Sequence, residues 1–148
     1  EHWTHGAHLT VALWYAHEQR ADAYTRLRSG IKRYNAASGL VETPTRGYHE
    51  TITQAWFHLV LHFLDVYDAG QPLQDLADEV TQVYGRNDLF AYYSRELLFG
   101  ADARARWIAP DVAELPALEP HTPQDRRWLQ GLTIGVARER QGALARAA

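Results

Sequence analysis

The sequence predicts an all-α protein, an up-down bundle of about five helices followed by a Pro-rich strap and a C-terminal helix. Three observations support this. Apolar residues recur at helical steps almost throughout, and convincing two-residue alternation is absent. Gly and Pro punctuate the pattern at Gly39, Pro44, Gly70, Pro72, Gly85 and Gly100. Pro110, Pro116, Pro120 and Pro123 then crowd together, which a helix interior does not tolerate.

The first helix is expected over 4–18. Thr4 is a suitable N-cap with Trp3 just outside it, and Leu9, Ala12, Leu13 and Ala16 form an inner stripe that His5 and His8 share. A second helix over 22–37 carries Tyr24, Leu27, Ile31 and Tyr34 on one face and basic residues on the rest. The stretch 38–47, with Pro44 and two glycines, reads as a loop. The third helix, over 48–68, is apolar around most of its circumference, so it is expected at the centre. A fourth follows Pro72, with Leu73, Leu76, Val80 and Val83 facing in. A fifth starts at Asn87 or Asp88 and runs through Leu89, Phe90, Tyr93, Leu97 and Leu98 to Gly100. Trp107 and Ile108 are expected to pin the strap to the bundle, and Thr122-Pro123 opens the last helix. The chain is thus read as one domain: a bundle over 1–100, a strap over 101–123 and a C-terminal helix over 124–148.

Composition narrows the chemistry. With 148 residues the chain can bury a sizeable core, and with Cys 0 it has neither disulfides nor thiolate ligands. Net charge is −3 and the isoelectric point about 6.2, which argues against a nucleic-acid partner. No apolar run is long enough to span a membrane and no leader segment is visible, so a cytoplasmic protein is expected. Lys32 is the only lysine among many arginines, the usage of a GC-rich bacterial genome. There is no Gly-rich phosphate loop, no Gly-x-Ser-x-Gly elbow and no calcium loop.

The histidines are unevenly placed. His2, His5, His8, His17, His49, His58 and His62 all precede residue 63. In an up-down arrangement the first and third helices run the same way, so His5 and His8 meet His49 and Glu50 at one end. A helix N-terminus favours neutral imidazole and ionised carboxylate, the forms that bind metal. His5, His8 and His49 are therefore expected as ligands of a divalent metal, zinc or iron by donor type. Glu50 is expected as a fourth ligand or as a general base on metal-bound water. Tyr34, Asn35, Tyr48 and Tyr92 fall nearby as second-layer or substrate-contacting groups, with Asp88 at the same end. Against this stands the plainer reading of each: packed histidines near helix starts and a carboxylate serving the helix dipole. His58, one turn before His62, lies about 13 Å along the axis from His49, and the two read as a solvated or interface edge and not as a second metal pair. The string Tyr92-Tyr93-Ser94-Arg95-Glu96 reads first as surface or packing, and is also able to present an arginine to a substrate carboxylate.

The strings Trp3-Thr4-His5-x-x-His8-Leu9, Gly30-Ile31-x-Arg33-Tyr34-Asn35, Tyr48-His49-Glu50-Thr51-Ile52-Thr53, Tyr92-Tyr93-Ser94-Arg95-Glu96 and Trp107-Ile108-x-Pro110-Asp111 together resemble a family of small all-helical bacterial proteins. The likeness covers about residues 1 to 116 and implies a helical fold, with His5, His8, His49 and Glu50 inside shared motifs and His58 and His62 outside them. It implies no reaction.

The sequence thus favours a metal-binding helical bundle acting on a small organic molecule, by hydrolysis or oxidation. The alternative is a metal-free helical module that binds a small molecule or a protein. In that case the histidines are tied to backbone carbonyls and the arginine-rich last helix is a contact surface, for a second copy in a homodimer among other partners.

Overall fold

The longest helix, α3 (Glu50–Tyr67), is the axis of the computed structural model, which describes residues 3–18 and 21–119. Its buried side chains include Ala55, Trp56, Phe57, Leu59, Val60, Leu61, Phe63 and Leu64, which face nearly every direction around the helix. That matches a helix with neighbours on all sides. Each large apolar side chain fully buried here contributes about 1.5–3 kcal/mol relative to an exposed one.

The other elements are α1 (His5–His17), α2 (Ala23–Ala37), α4 (Leu73–Val83), a 3-10 turn (Asp88–Ala91), α5 (Arg95–Leu98) and α6 (Ala101–Ala105). Among the described residues there is no strand; Thr43 and Arg46 form one isolated antiparallel bridge. The all-α bundle expected from the periodicity is therefore what the chain adopts. No described helix is long and apolar enough to cross a membrane.

Helix α1 packs on α3 and α4 through Leu9, Leu13 and Ala16, all fully buried, with Ala12 beside them. Thr4 caps it by accepting from the Ala7 amide at 3.2 Å. The direction of α1 relative to α3 follows from two contacts. At one end the His5 and Trp56 rings lie 4.8 Å apart edge to face. At the other, His17 approaches Asp68, which follows α3, at 4.0 Å. The two helices therefore run the same way and begin at the same end. Helix α2 returns antiparallel to α1, with Arg26 on Glu18 at 2.6 Å and Tyr34 against Trp3 at 4.7 Å between ring centres.

Two expectations differ in detail. The single fifth helix is split into the 3-10 turn and α5. Ser94 is extended (φ −67°, ψ 152°), and its hydroxyl accepts from Leu97 N–H to start α5. Its own N–H goes to Asp111 Oδ1 at 2.7 Å instead of a helical carbonyl, so the ladder breaks there. The strap, expected from residue 101, begins only after α6, whose alanine-rich turn is capped by Gly100.

The strap is stitched to α3. Thr51, fully buried, donates to Arg106 O at 2.8 Å and accepts from Ile108 N–H at 3.0 Å. Tyr93 donates to Ile108 O at 2.9 Å, His58 Nε2–H donates to Pro116 O at 2.7 Å, and Asp65 accepts from Glu119 N–H at 3.0 Å. Trp107 buries its ring edge-on to Tyr93. His58 thus has a structural task, and the expected C-terminal helix over 124–148 lies outside the described residues.

Replacing Thr51 by Val removes both halves of this stitch while keeping the shape. Thr51→Val is expected to lower unfolding free energy by about 1–3 kcal/mol, and Thr51→Ser by much less, measured by urea denaturation. Equal stability of Thr51→Val and the native chain would show that the strap is not held there.

Candidate functional site

The shared beginning of α1 and α3 opens onto a cavity of about 650 Å³. Its walls come from segments distant in sequence: Trp3, His5, His8 and Ala12 from α1 and its lead-in; Leu27, Ile31 and Asn35 from α2; Tyr48, His49, Ile52 and Trp56 at the start of α3; and Arg86, Asn87, Phe90, Arg95 and Phe99 from the later turns. The volume falls within the range of small-molecule sites, roughly 300–1,000 Å³.

The backbone before α3 sets this end. Gly47 is left-handed (φ 105°), and a Cβ there would collide with the Glu42 carboxylate. Glu42 in turn accepts from Tyr48 N–H at 2.7 Å and from Asn35 Nδ2 at 3.2 Å. Arg104 of α6 donates to the carbonyls of Gly47 at 3.0 Å and Tyr48 at 3.3 Å. The loop is thus held on three sides, and it delivers Tyr48 and His49 to the cavity wall.

His49 is only 7 % exposed. Its Nδ1 accepts from Ile52 N–H at 3.1 Å, and its Nε2 lies 2.7 Å from Leu98 O. A carbonyl only accepts, so Nε2 carries the proton and Nδ1 the lone pair. The ring is neutral, with both nitrogens engaged. Its pKa is lowered, chiefly by burial and also by the nearby Arg104, although the Leu98 carbonyl opposes the shift.

His5 and His8 are different. His5 Nε2 donates to Tyr84 O at 3.3 Å, and His8 Nδ1 donates to Thr4 O at 2.9 Å. Each therefore keeps one lone-pair nitrogen, Nδ1 of His5 and Nε2 of His8, with no hydrogen-bond partner among the described residues. Crowding around the His8 ring lowers its pKa: desolvation is the main cause, the Thr4 carbonyl opposes it and His5 adds to it. The Trp3 ring stands edge-on to His8 at 4.9 Å, and the Trp3 indole N–H is buried with no acceptor among the described residues.

Glu50, 7 % exposed, is not part of the cavity wall. Its Oε1 accepts from Tyr24 and from Arg28, each at 3.2 Å, and from Gln54 at 2.9 Å. Burial alone would raise its pKa, but the hydroxyl of Tyr48, then Gln54, the Arg28 charge and Tyr24 outweigh burial and hold it lowered. Burial pushes the Tyr24 and Tyr48 hydroxyls well above the ordinary range, so both stay donors. The Tyr48 hydroxyl meets that of Tyr24 at 3.1 Å, behind the wall that the residue helps to form.

The sequence-predicted residues therefore divide. His5, His8, His49, Asn35 and Tyr48 meet at one cavity; Glu50, Tyr34 and Tyr92 are not among its walls. Tyr34 lies tilted against Trp3 and is itself exposed, and Tyr92 supplies its carbonyl to the Val112 amide of the strap. The expected ligand set differs from the observed bonding for two reasons. Neither nitrogen of His49 is free for a metal, and Glu50 is turned toward α2. Among the described residues, no group of three or more His, Asp or Glu side chains is arranged to hold an ion. Arg86, Asn87, Phe90 and Phe99 of the cavity carry no motif; only the Arg95 string offered a signal. No family model matches the chain, and neither a curated protein nor a solved structure does.

The histidine pKa values predict a pH dependence. The folded values of His49 and His58 are lowered, chiefly by burial, whereas an unfolded histidine titrates near 6.5. Below about pH 6.5 the unfolded chain binds protons that the fold refuses, so stability falls as pH drops toward the lowered folded values. Glu50 acts in a separate window: its folded pKa lies below 4.5, so its contribution is present above that and lost only in stronger acid. The melting temperature is expected to fall between about pH 7 and pH 5, with a shallower slope in His49→Asn, which keeps a cap for Ile52 N–H but does not titrate. A flat melting profile across that range would contradict the neutral, buried assignment.

Proposed function

We propose that this chain is a helical small-molecule-binding protein, with its site in the cavity at the common start of α1 and α3. The observation that supports this is the convergence of segments distant in sequence on one cavity of about 650 Å³. Its walls combine aromatic and apolar surface (Trp3, Ile31, Ile52, Trp56, Phe90) with a few polar groups, the usual composition of a ligand site. His5 Nδ1 and His8 Nε2, the ring nitrogens not bonded to a carbonyl, are placed to accept a hydrogen bond from a bound hydroxyl or amine. His49 gives the wall rigidity: it is held at both ring nitrogens, so the first turn of α3 does not need a ligand to order it.

This is the metal-free reading of the site. It is favoured over a zinc or iron centre because the hydrogen bonds of His49 leave it no donor atom for a cation. Stoichiometric zinc or iron in protein purified without a His tag, lost in His5→Ala, would overturn that preference.

Filling the cavity tests the proposal. In a ligand-observed NMR screen of neutral and charged aromatic fragments, the native chain is expected to give binders. Ile52→Trp should abolish them while shifting the melting temperature by only a few degrees, because the Ile52 side chain is half-buried at the cavity wall. His8→Ala is expected to weaken binders that carry a hydroxyl by about tenfold. Binding that survives Ile52→Trp would place the site elsewhere, and a screen without binders would count against the reading.

A further inference from the structure

We infer that the cavity selects organic anions, with an aromatic carboxylate seated apolar end inward and its charge held at the mouth by Arg86 and Arg95. This deepens the proposal above and rests on it.

The first argument is a charge segregation. The chain has 18 Asp and Glu against 15 Lys and Arg, yet none of the residues that line the cavity is acidic. Two of them, Arg86 and Arg95, are fully charged bases. Three carboxylates whose partners adjoin this end, Glu42, Glu50 and Asp88, are held by other groups. Glu42 is taken up by Asn35 and the Tyr48 amide, and Glu50 by Tyr24, Arg28 and Gln54. Asp88 accepts from the Gly85 amide at 2.8 Å. An acidic protein has thus surrounded one cavity with positive and neutral groups only.

The second argument is the state of the two guanidinium groups. Among the described residues, the guanidinium groups of Arg86 and Arg95 form no hydrogen bond or ion pair, as is also true of Arg33 and Arg46, which do not line the cavity; those of Arg26, Arg28, Arg104 and Arg106 are engaged. Arg95 is nonetheless placed: its guanidinium carbon lies 4.1 Å from the centre of the Phe90 ring. Stacking on a ring fixes the plane of the group and leaves its N–H edge open for a carboxylate. Phe90 and Phe99, edge to face at 6.0 Å, add apolar surface to the wall beside it, with Phe99 at the exposed side. A ligand with a flat apolar body and a terminal anion satisfies both regions at once. A cation would meet Arg86 and Arg95 with no carboxylate to offset them.

The test compares three compounds of one shape: 2-naphthylacetate, its neutral amide and 2-naphthylethylamine, titrated calorimetrically into the full chain. The carboxylate is expected to bind about tenfold tighter than the amide, and the amine not at all. The carboxylate's advantage should shrink at high salt, since the arginines at the mouth are exposed. In the Arg86→Gln, Arg95→Gln double variant the carboxylate's advantage over the amide should disappear. Amide or amine binding as tightly as the carboxylate overturns the charge selection and leaves the pocket reading standing. A carboxylate advantage that persists in the double variant likewise overturns the role of the two arginines. If none of the three binds, the pocket reading falls together with this one.

Discussion

The imidazole of His49 ties the structure together at one point. One nitrogen closes the first turn of α3 by accepting from Ile52 N–H, and the other reaches the last residue of α5 through the Leu98 carbonyl. A serine or aspartate at that N-cap would satisfy the amide but would be too short to reach a second element. The ring therefore does two jobs: it starts the central helix and clamps the later turns onto that start. Thr51, two residues on, repeats the device with a hydroxyl that bridges Arg106 and Ile108. Between them, these two side chains anchor the stretch from Leu98 to Ile108 onto the start of α3.

From that clamp the cavity follows. Helix α1 begins beside α3 because the two run the same way. The turn after α4 is brought to the same end because Tyr84 receives His5 and reaches back to Leu59 O at 3.0 Å. The space left between these starts cannot be filled by the helices' own stripes, since Leu9, Leu13, Leu59 and Phe63 all point into the core further along the axis. Pockets between helices of a bundle arise in this way, where the elements have ended but their flanking loops still enclose volume.

Much of this was legible in the residues. The periodic stripes marked α1 to α4 because apolar spacing reports burial; Leu9, Ala12, Leu13 and Ala16 are all buried as read, whereas Tyr34 and Val83, read as inward at the ends of α2 and α4, are exposed. The meeting of His5, His8 and His49 at one end followed from short connections and an up-down order. What the residues did not disclose was hydrogen bonding. A histidine before a glutamate at a helix start looks the same whether its lone pair faces a metal or the Ile52 amide, because both need neutral imidazole. The break at Ser94 was hidden for a similar reason: it depends on Asp111, which is distant in the chain, and helical spacing over 88–98 carries no trace of that bond. Arg86 and Asn87 belong to no motif, and the cavity places them only through the turn on which they sit.

The treatment of Glu50 shows how charge is arranged around the cavity. A carboxylate buried to this extent is costly unless it is paired, and here Arg28 and Tyr24 of α2, Gln54 of α3 and the Tyr48 hydroxyl supply the pairing. The same bonds turn its charge away from the cavity. Tyr48 stands between: its hydroxyl is directed to Tyr24 and Glu50, while the residue forms part of the cavity wall and Lys32 sits over its ring at 4.8 Å. One tyrosine thus screens a buried anion from the adjoining space. Without it, the field of Glu50 would reach any negative ligand across a few ångströms of low-dielectric interior. The cavity's freedom from negative charge is therefore maintained by the packing of α2 on α3, and it depends on the same turn before α3 that positions His49.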